Sequence, residues 1–309
     1  MRTAENCPLD VCEFAIDNNL LFFGVGIIAM PKISVLTPIY NTDASHLREM
    51  IESVLNQTYG DFEFIILNDS PDNSSLKDIV LSYGDERIRY CTNEVNLGIS
   101  ESRNRLLDLA SGEYVAVLDH DDVCYPSRFE KQVAYLDGHP EVGVCSSWFL
   151  EMLSNGLYKP PSENIDIKRT LMRENCVPHT AMMIRKSVLD DCRVRYEAQY
   201  SPAEDYMICI RLMPYTMFHN IEEPLVKYRS FDGNTSSRQR QKMLDRDLMI
   251  KAIAYSNYGY ISNNEACVRT RKITLFGFIP LWKDRWVSPT CKWVYLFGFI
   301  PVAKISHRR

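Results

Sequence analysis

Hydrophobic positions change period along this chain, and the changes mark its elements. Four short runs rich in β-branched and aromatic residues read as strands: Lys32–Thr37 (KISVLT), Phe62–Leu67 (FEFIIL), Arg87–Cys91 (RIRYC) and Tyr114–Leu118 (YVAVL). Between them the apolar spacing becomes helical. Ala44–Gln57 has apolar residues at 47, 50, 51, 54 and 55, and Ser75–Tyr83 and Ser100–Ala110 follow the same rule. Short buried strands separated by helices imply an α/β fold: a mostly parallel sheet with right-handed crossovers and helices on both faces. Ligands of such sheets bind beyond the carboxyl ends of the strands. The polar clusters of the first half fall at those ends.

After about residue 150 the pattern loosens. Ile165–Arg173, Ala203–Met213 and Arg238–Ala254 read as helices, Ala181–Ile184 as a strand, and Met217–Tyr228 as one or two strands. This α+β region is expected to pack on the first sheet. The tail carries an internal repeat, ITLFGFIPLWK at 273–283 and VYLFGFIPVAK at 294–304, in which LFGFIP recurs after 21 residues. Two copies are too few for a solenoid.

Composition adds exclusions. With 46% hydrophobic and 24% charged residues the chain is neither disordered nor a coiled coil. The longest apolar run, Leu20–Met30, is 11 residues, against the roughly 20 a membrane-spanning helix needs. It also lacks the basic flank and cleavage site of a secretory signal. Met30 directly precedes the first strand, so residues 1–30 read as an N-terminal extension. Ten cysteines with no CxxC pair, most inside apolar stretches, fit buried thiols of a reducing compartment better than a disulfide framework or a zinc site.

The net charge of -5 argues against a nucleic-acid partner, but it is unevenly spread. From Val268 onward there are nine Lys or Arg and one acid, Asp284, so the tail carries +8 and the preceding residues -13. Three of the four tryptophans lie in that tail. Cations beside aromatic bulk suit an interfacial segment on an anionic membrane surface. Packing of Phe276, Phe278, Phe297 and Phe299 onto the body is the other reading.

The sharpest chemical signal is Leu118-Asp119-His120-Asp121-Asp122 at the end of the fourth strand. Three carboxylates in four residues repel one another unless a cation is shared, and an all-oxygen donor set suits Mg²⁺ or Mn²⁺. Taken alone, so common a tripeptide is better read as an acidic loop that caps a following helix near Ser127. Its context matters. The first strand ends in Thr37-Pro38-Ile39-Tyr40-Asn41 and the second in Asn68-Asp69-Ser70. The third leads into Asn96-Leu97-Gly98-Ile99-Ser100 and Arg103-Asn104. A sheet edge lined this way can hold a base, a ribose, a diphosphate and a metal in order, with an Arg able to meet phosphate oxygens.

In this order and spacing TPIYN, NDS, NLGISESRN and LDHDD resemble the nucleotide-sugar-binding half of glycosyltransferase family 2, over about residues 32–235. The resemblance implies a GT-A fold. It places Thr37, Pro38, Tyr40, Asn41 and Asp69 around the nucleobase, Asp119 at the ribose and metal, Asp121 on the metal, and Arg103 in the same pocket. Glu204-Asp205 opens the helical run AEDYMICIRL. Two acids in a first turn complement the helix dipole and need no further role. The family resemblance makes Asp205 the catalytic base, with Glu204, His179 and Arg229 on the acceptor side. Relatives often carry a His two residues after the Arg of Tyr228-Arg229, where this chain has Phe231, so water or a neighbouring carboxylate would complete a metal shell. Gln239-Arg240-Gln241 leads to no Trp, unlike the QxxRW of processive synthases, which favours transfer of one sugar.

These readings converge on an inverting, metal-dependent transferase of one hexose or N-acetylhexosamine from a UDP-sugar to a lipid-linked surface glycan. Mn²⁺ or Mg²⁺ would be its cofactor and the inner, cytoplasmic face of the cell membrane its location. The expected organisation is an extension (1–30), a nucleotide-sugar-binding part (31–150), an acceptor-binding and catalytic part (151–235), and a C-terminal helix with a membrane-surface tail (236–309). A sugar-phosphate nucleotidyltransferase would share the acidic sheet edge, but TPIYN is not a Gly-rich basic phosphate loop. A non-catalytic sugar-nucleotide or membrane-surface binding module is the third possibility.

Overall fold

A computed structural model describes residues 30–230, 238–258, 270–275, 279–288, 291–296 and 300–306. Most of the N-terminal extension, Phe231 and the four LFGFIP phenylalanines lie outside the described residues.

The first four strands, β1 (Ile33–Ile39), β2 (Phe62–Asn68), β3 (Ile88–Thr92) and β4 (Tyr114–Val117), form the parallel order β3-β2-β1-β4. They are linked by helices α1 (Ala44–Leu55), α2 (Ser75–Leu81) and α3 (Ile99–Leu109). All seven residues of β1 are buried, because the sheet is covered on both faces. Ile33, Val35 and Ile39 join a core with α1, α2 and a fourth helix, α4 (Arg128–Gly138). Leu36 joins a second core on the other face with α3. Asp43 caps α1, its carboxylate accepting from the Ser45 and His46 backbone N–H groups.

Beyond β4 the sheet changes direction. After β5 (Val123–Cys124), β6 (Val142–Glu151) and β7 (Gly156–Tyr158) come α5 (Asn164–Leu171), β8 (Met183–Arg185), α6 (Lys186–Asp191), α7 (Glu204–Leu212), β9 (Met217–Tyr228) and α8 (Arg240–Tyr258). Strand β8 lies antiparallel between β4 and β6, β9 runs parallel to β6, and β5 pairs antiparallel with β9 at the edge. Residues of α5, α7 and α8 complete the core on the α3 face. Met217–Tyr228 is one irregular strand rather than two, with Pro224 at a register shift against Trp148.

Strand β6 has no counterpart among the elements read from the sequence, and helix α4 only a start near Ser127, and the reason is chemical. The inward face of α4 carries Arg128 and Gln132, both completely buried, where helical periodicity expects apolar residues. Arg128 donates from Nη2 to the Val117 carbonyl at 2.8 Å and from Nε to Gln132 at 3.0 Å. Gln132 in turn donates to the Ala181 and Cys145 carbonyls at 2.8 and 3.0 Å. This pair ties the end of β4 to the segments around β8 and β6 and braces the acidic loop from behind. In β6 the buried Ser146 and Ser147 interrupt the apolar run, and Ser146 Oγ donates to the Pro178 carbonyl at 2.7 Å.

The tail repeat is structural. Strands β10 (Thr270–Leu275), β11 (Ile279–Ser288), β12 (Cys291–Leu296) and β13 (Ile300–Ser306) form a separate antiparallel sheet in chain order. Lys272 pairs with Lys283 as Trp293 does with Lys304, and Leu275 with Ile279 as Leu296 does with Ile300. The register shift after Ile273 recurs after Val294. Each 21-residue unit is therefore one hairpin with the same irregularity. Cys91, Cys124, Cys145, Cys176, Cys192 and Cys209 are free, and no described helix is long and apolar enough to cross a membrane.

Candidate active site

The polar strand ends converge at the carboxyl edge of the parallel half. Thr37 is fully buried and donates to the Leu118 carbonyl at 2.9 Å, locking the end of β1 to the start of the acidic loop. Pro38 is buried beside it, whereas Tyr40 is 52% exposed at the rim. Asn41 adopts a left-handed φ of 45°, a conformation Asn tolerates, and its backbone N–H donates to Ser70 Oγ at 3.2 Å.

Asp69 organises the loop that enters α3. Its Oδ1 accepts from Asn93 Nδ2 at 2.6 Å and Leu97 N at 2.8 Å, and its Oδ2 accepts from Gly98 N at 2.8 Å. Gly98, with φ 81° and ψ 166°, occupies a region open essentially to glycine alone. The NLG segment is thus shaped by one buried carboxylate and one permissive backbone.

Arg103 projects from the first turns of α3 into a buried cluster of carboxylates. Its Nη1 lies 2.6 Å from Glu204 Oε1 and its Nη2 lies 2.9 Å from Asp119 Oδ1. Both terminal nitrogens are occupied by carboxylates rather than presented to a phosphate. Tyr196 places its ring 5.5 Å from the guanidinium, and its hydroxyl lies 2.9 Å from His179 Nε2. His179 Nδ1 is 4.0 Å from the same Asp119 oxygen. Burial opposes ionisation of Asp119, but Arg103 and His179 more than offset it and hold its carboxyl well below the usual range.

The other two acids of the loop behave in the opposite way. Burial, with Asp119 nearby, pushes Asp121 up, and burial next to both neighbours pushes Asp122 well up. Asp122 Oδ1 accepts the Arg229 backbone N–H at 2.8 Å, while its buried Oδ2 has no hydrogen-bond partner. The Arg229 side chain donates from Nε to the Asp121 carbonyl at 2.8 Å and pairs with Glu49 of α1. The end of β9 therefore clamps the acidic loop. Charge accumulation resisted by the loop itself is what a bound cation relieves. Among the described residues no three His, Cys, Asp or Glu side chains are arranged as a metal cage. The donor set fits Mg²⁺ or Mn²⁺ held by one or two carboxylates, with waters and substrate oxygens completing the shell.

Glu204 and Asp205 are neighbours with different surroundings. Glu204 is 4% exposed and bonded to Arg103, its second oxygen buried without a partner. Asp205 is half-buried, accepts from Asn175 Nδ2 at 3.1 Å and from the Tyr206 N–H at 2.8 Å. Burial raises the Asp205 carboxyl, partly countered by His179 and Arg103. Of the residues singled out from the sequence, the structure joins Arg103, Asp119, Glu204 and His179 in one network. It places Arg229 on the Asp121 loop and leaves Tyr40 at the open rim. Asn175 and Tyr196 escaped the sequence reading, which gave no separate role to Asn104 or to Thr180, whose Oγ1 accepts the Asp119 N–H at 3.1 Å.

A parallel sheet with a carboxylate-rich carboxyl edge and an acidic helix start beside it is the layout of a GT-A glycosyltransferase. The family model "Glycosyl transferase family 2" matches residues 34–193, and the chain belongs to that family. An uncharacterized glycosyltransferase of Methanocaldococcus jannaschii is 35% identical over 229 residues, covering 71% of this chain and 78% of that protein. The amylovoran biosynthesis glycosyltransferase AmsE of Erwinia amylovora is 29% identical over 67% of this chain and 79% of its own. Among solved structures, S. aureus TarS in complex with UDP-GlcNAc superimposes with a TM-score of 0.61 at 20% identity, covering 73% of this chain and 67% of that one. The mannosyltransferase PcManGT from Pyrobaculum calidifontis, in complex with GDP-Man and Mn²⁺, gives 0.52 at 16% identity, over 76% and 73% of the two chains. These structures share the GT-A fold.

Proposed function

We propose that this glycosyltransferase moves one hexose or N-acetylhexosamine from a UDP-sugar to a hydroxyl of a lipid-linked surface glycan, with inversion at the anomeric carbon. The observation that carries this reading is Asp205. It is a half-buried carboxylate at the start of α7, held by Asn175 and raised by burial, next to the network that reaches Asp119. A carboxylate so placed takes the proton from the acceptor hydroxyl as that oxygen attacks the anomeric carbon, while the nucleoside diphosphate leaves from the opposite side.

Thr37, Pro38, Tyr40, Asn41 and Asp69 line the nucleobase side of the cleft, and Arg103 and Asp119 close its inner end. The exposed Tyr40 offers a ring for the base to stack on. Asp121, with Asp119, holds the divalent cation. When bound, that cation neutralises charge on the departing diphosphate. His179 and Arg229 lie on the acceptor side, and Glu204 meets Arg103 between the two sides. The parts 31–150 and 151–235 divide donor from acceptor binding. TarS with UDP-GlcNAc and PcManGT with GDP-Man and Mn²⁺ support a metal-assisted sugar-nucleotide donor, and AmsE supports a surface-polysaccharide context.

The tail supports peripheral attachment to the inner face of the membrane. In its backbone register Lys272 pairs with Lys283, Lys283 with Tyr295, Arg285 with Trp293 and Trp293 with Lys304. Cations paired across the strands with Trp and Tyr suit an anionic lipid surface. Incubation with a panel of UDP-sugars and Mn²⁺, with and without lipid-linked acceptor, tests the proposal. Acceptor-dependent release of UDP from one donor is expected, and the absence of release from every donor overturns it.

A further inference from the structure

We propose that Glu204 is a positioning residue that acts through Arg103, and that this one buried guanidinium sets the acidic loop after β4 in register with the start of α7. The inference rests on Asp205 being the base, since α7 is what it positions.

Three segments distant in sequence meet at Arg103. Glu204 lies 101 residues along the chain and Asp119 lies 16, yet their carboxylate oxygens sit 2.6 and 2.9 Å from the two ends of the same planar group. Arg103 is 8% exposed and Glu204 4%, so neither has a second position in water to move to. The guanidinium fork fixes both distance and direction, which the single ammonium of Lys does not. The fork is itself held. Asn104, the next residue on α3, grips the Tyr196 backbone from both sides, donating to its carbonyl at 2.9 Å and accepting its N–H at 2.8 Å. That places the Tyr196 ring against Arg103 and the Tyr196 hydroxyl on His179.

Two features set this bridge apart from a purely structural one. Buried ion pairs are often no more stabilising than well-packed apolar side chains, so stability alone does not call for one. The pair also leaves Arg103 Nε and Glu204 Oε2 buried without hydrogen-bond partners, a cost a stability device would remove. What the bridge does provide is geometry. Successive helical residues point about 100° apart. With Glu204 anchored inward, Asp205 is aimed elsewhere, onto Asn175. Glu204 thereby fixes the rotation of the first turn of α7, and the same cation fixes Asp119. Donor site and base are held in register through it.

The test compares Glu204→Gln, Arg103→Lys and the double variant in the full chain. It measures UDP affinity by titration calorimetry in Mn²⁺ (GDP, if wild type binds only that) and turnover with the active donor. Glu204→Gln is expected to weaken nucleotide binding at least fivefold and lower kcat at least tenfold, with acceptor KM within twofold of wild type. The double variant is expected to be no worse than the weaker single one, the signature of two groups acting as a unit. An effect of Glu204→Gln on acceptor KM alone overturns the proposal, as do additive losses in the double variant. If Glu204→Gln does not fold, Glu204→Asp, which keeps the charge but shortens the reach, is held to the same criteria. Asp205→Asn separates this from the reading it rests on. Wild-type turnover in that variant would remove Asp205 as base while leaving the coupling of Glu204 to nucleotide affinity to be read on its own.

Discussion

Asn175 donates its side-chain amide to Asp205 Oδ2 at 3.1 Å, so a residue in the turn before β8 orients the carboxylate at the head of α7. The other oxygen of Asp205 is engaged by the N–H of Tyr206. The carboxylate is held in one orientation before any substrate arrives. Asp205→Asn preserves its shape but not its basicity. It is expected to lower kcat by about 10²–10⁴-fold, the usual contribution of a general base, with UDP affinity unchanged. Asn175→Ala is expected to cost less, because it frees the base without removing it. Steady-state kinetics beside calorimetric UDP titration check both, and loss of UDP binding in Asp205→Asn would refute the base assignment.

Burial raises Asp205 above the ordinary aspartate value of about 3.9. A base must be ionised, so kcat/KM should fall as pH drops through that raised pKa, on an acid limb lying above the ordinary aspartate value. The consequence for stability has the opposite sense. A carboxyl whose folded pKa is raised favours folding below its unfolded pKa, and that contribution is lost as pH rises through the folded value. At neutral pH Asp205→Asn should therefore be at least as stable as wild type, and the advantage should vanish in acid. Thermal melts of both proteins across pH test this; a variant melting lower at pH 7 would contradict it.

Asp121 is the loop carboxylate assigned chiefly to the cation. Asp121→Ala should abolish Mn²⁺-dependent nucleotide binding and transfer together, whereas chelation of wild type should do the same reversibly. Titration of UDP with and without Mn²⁺ reads the outcome directly. Retention of metal-enhanced affinity in the variant would move the cation elsewhere.

Gly98 is a backbone requirement rather than a packing one. A methyl added there would meet no atom within 4 Å, yet φ is 81° and ψ 166°. Gly98→Ala is expected to cost about 1–3 kcal/mol through strain alone. Because Asp69 accepts the Gly98 N–H, nucleotide affinity should drop with it. Urea denaturation gives the first quantity and calorimetry the second.

The C-terminal sheet offers a test by charge reversal. Replacing Lys272, Lys283 and Lys304 by Glu should abolish flotation with vesicles containing anionic phosphatidylglycerol, and wild-type flotation should weaken as salt rises. Equal binding of wild type to purely zwitterionic vesicles would exclude the electrostatic mechanism.

What the sequence determined by itself is whatever rests on local pattern. Strands buried on both faces read as continuous apolar runs, so β1, β2 and β4 were legible, as were the polar residues just past their ends. The 21-residue repeat was equally visible, although that it forms one hairpin per unit was not. Beyond a start near Ser127, helix α4 was hidden because Arg128 and Gln132 occupy its inward face, where they serve backbone carbonyls of three segments. No spacing rule anticipates a buried cation there. The roles within the site divide in the same way. Asp119 and Asp121 stand out as candidates by residue type and place, and Asp205 only through the family resemblance. The tertiary structure alone decided that Arg103 spends both terminal nitrogens on carboxylates, that Arg229 reaches back to the Asp121 carbonyl, and that Asn175 aims Asp205. Each of these is a contact between segments far apart in the chain. Its energy depends on burial and on which partner is within hydrogen-bond reach, and only the completed fold sets either.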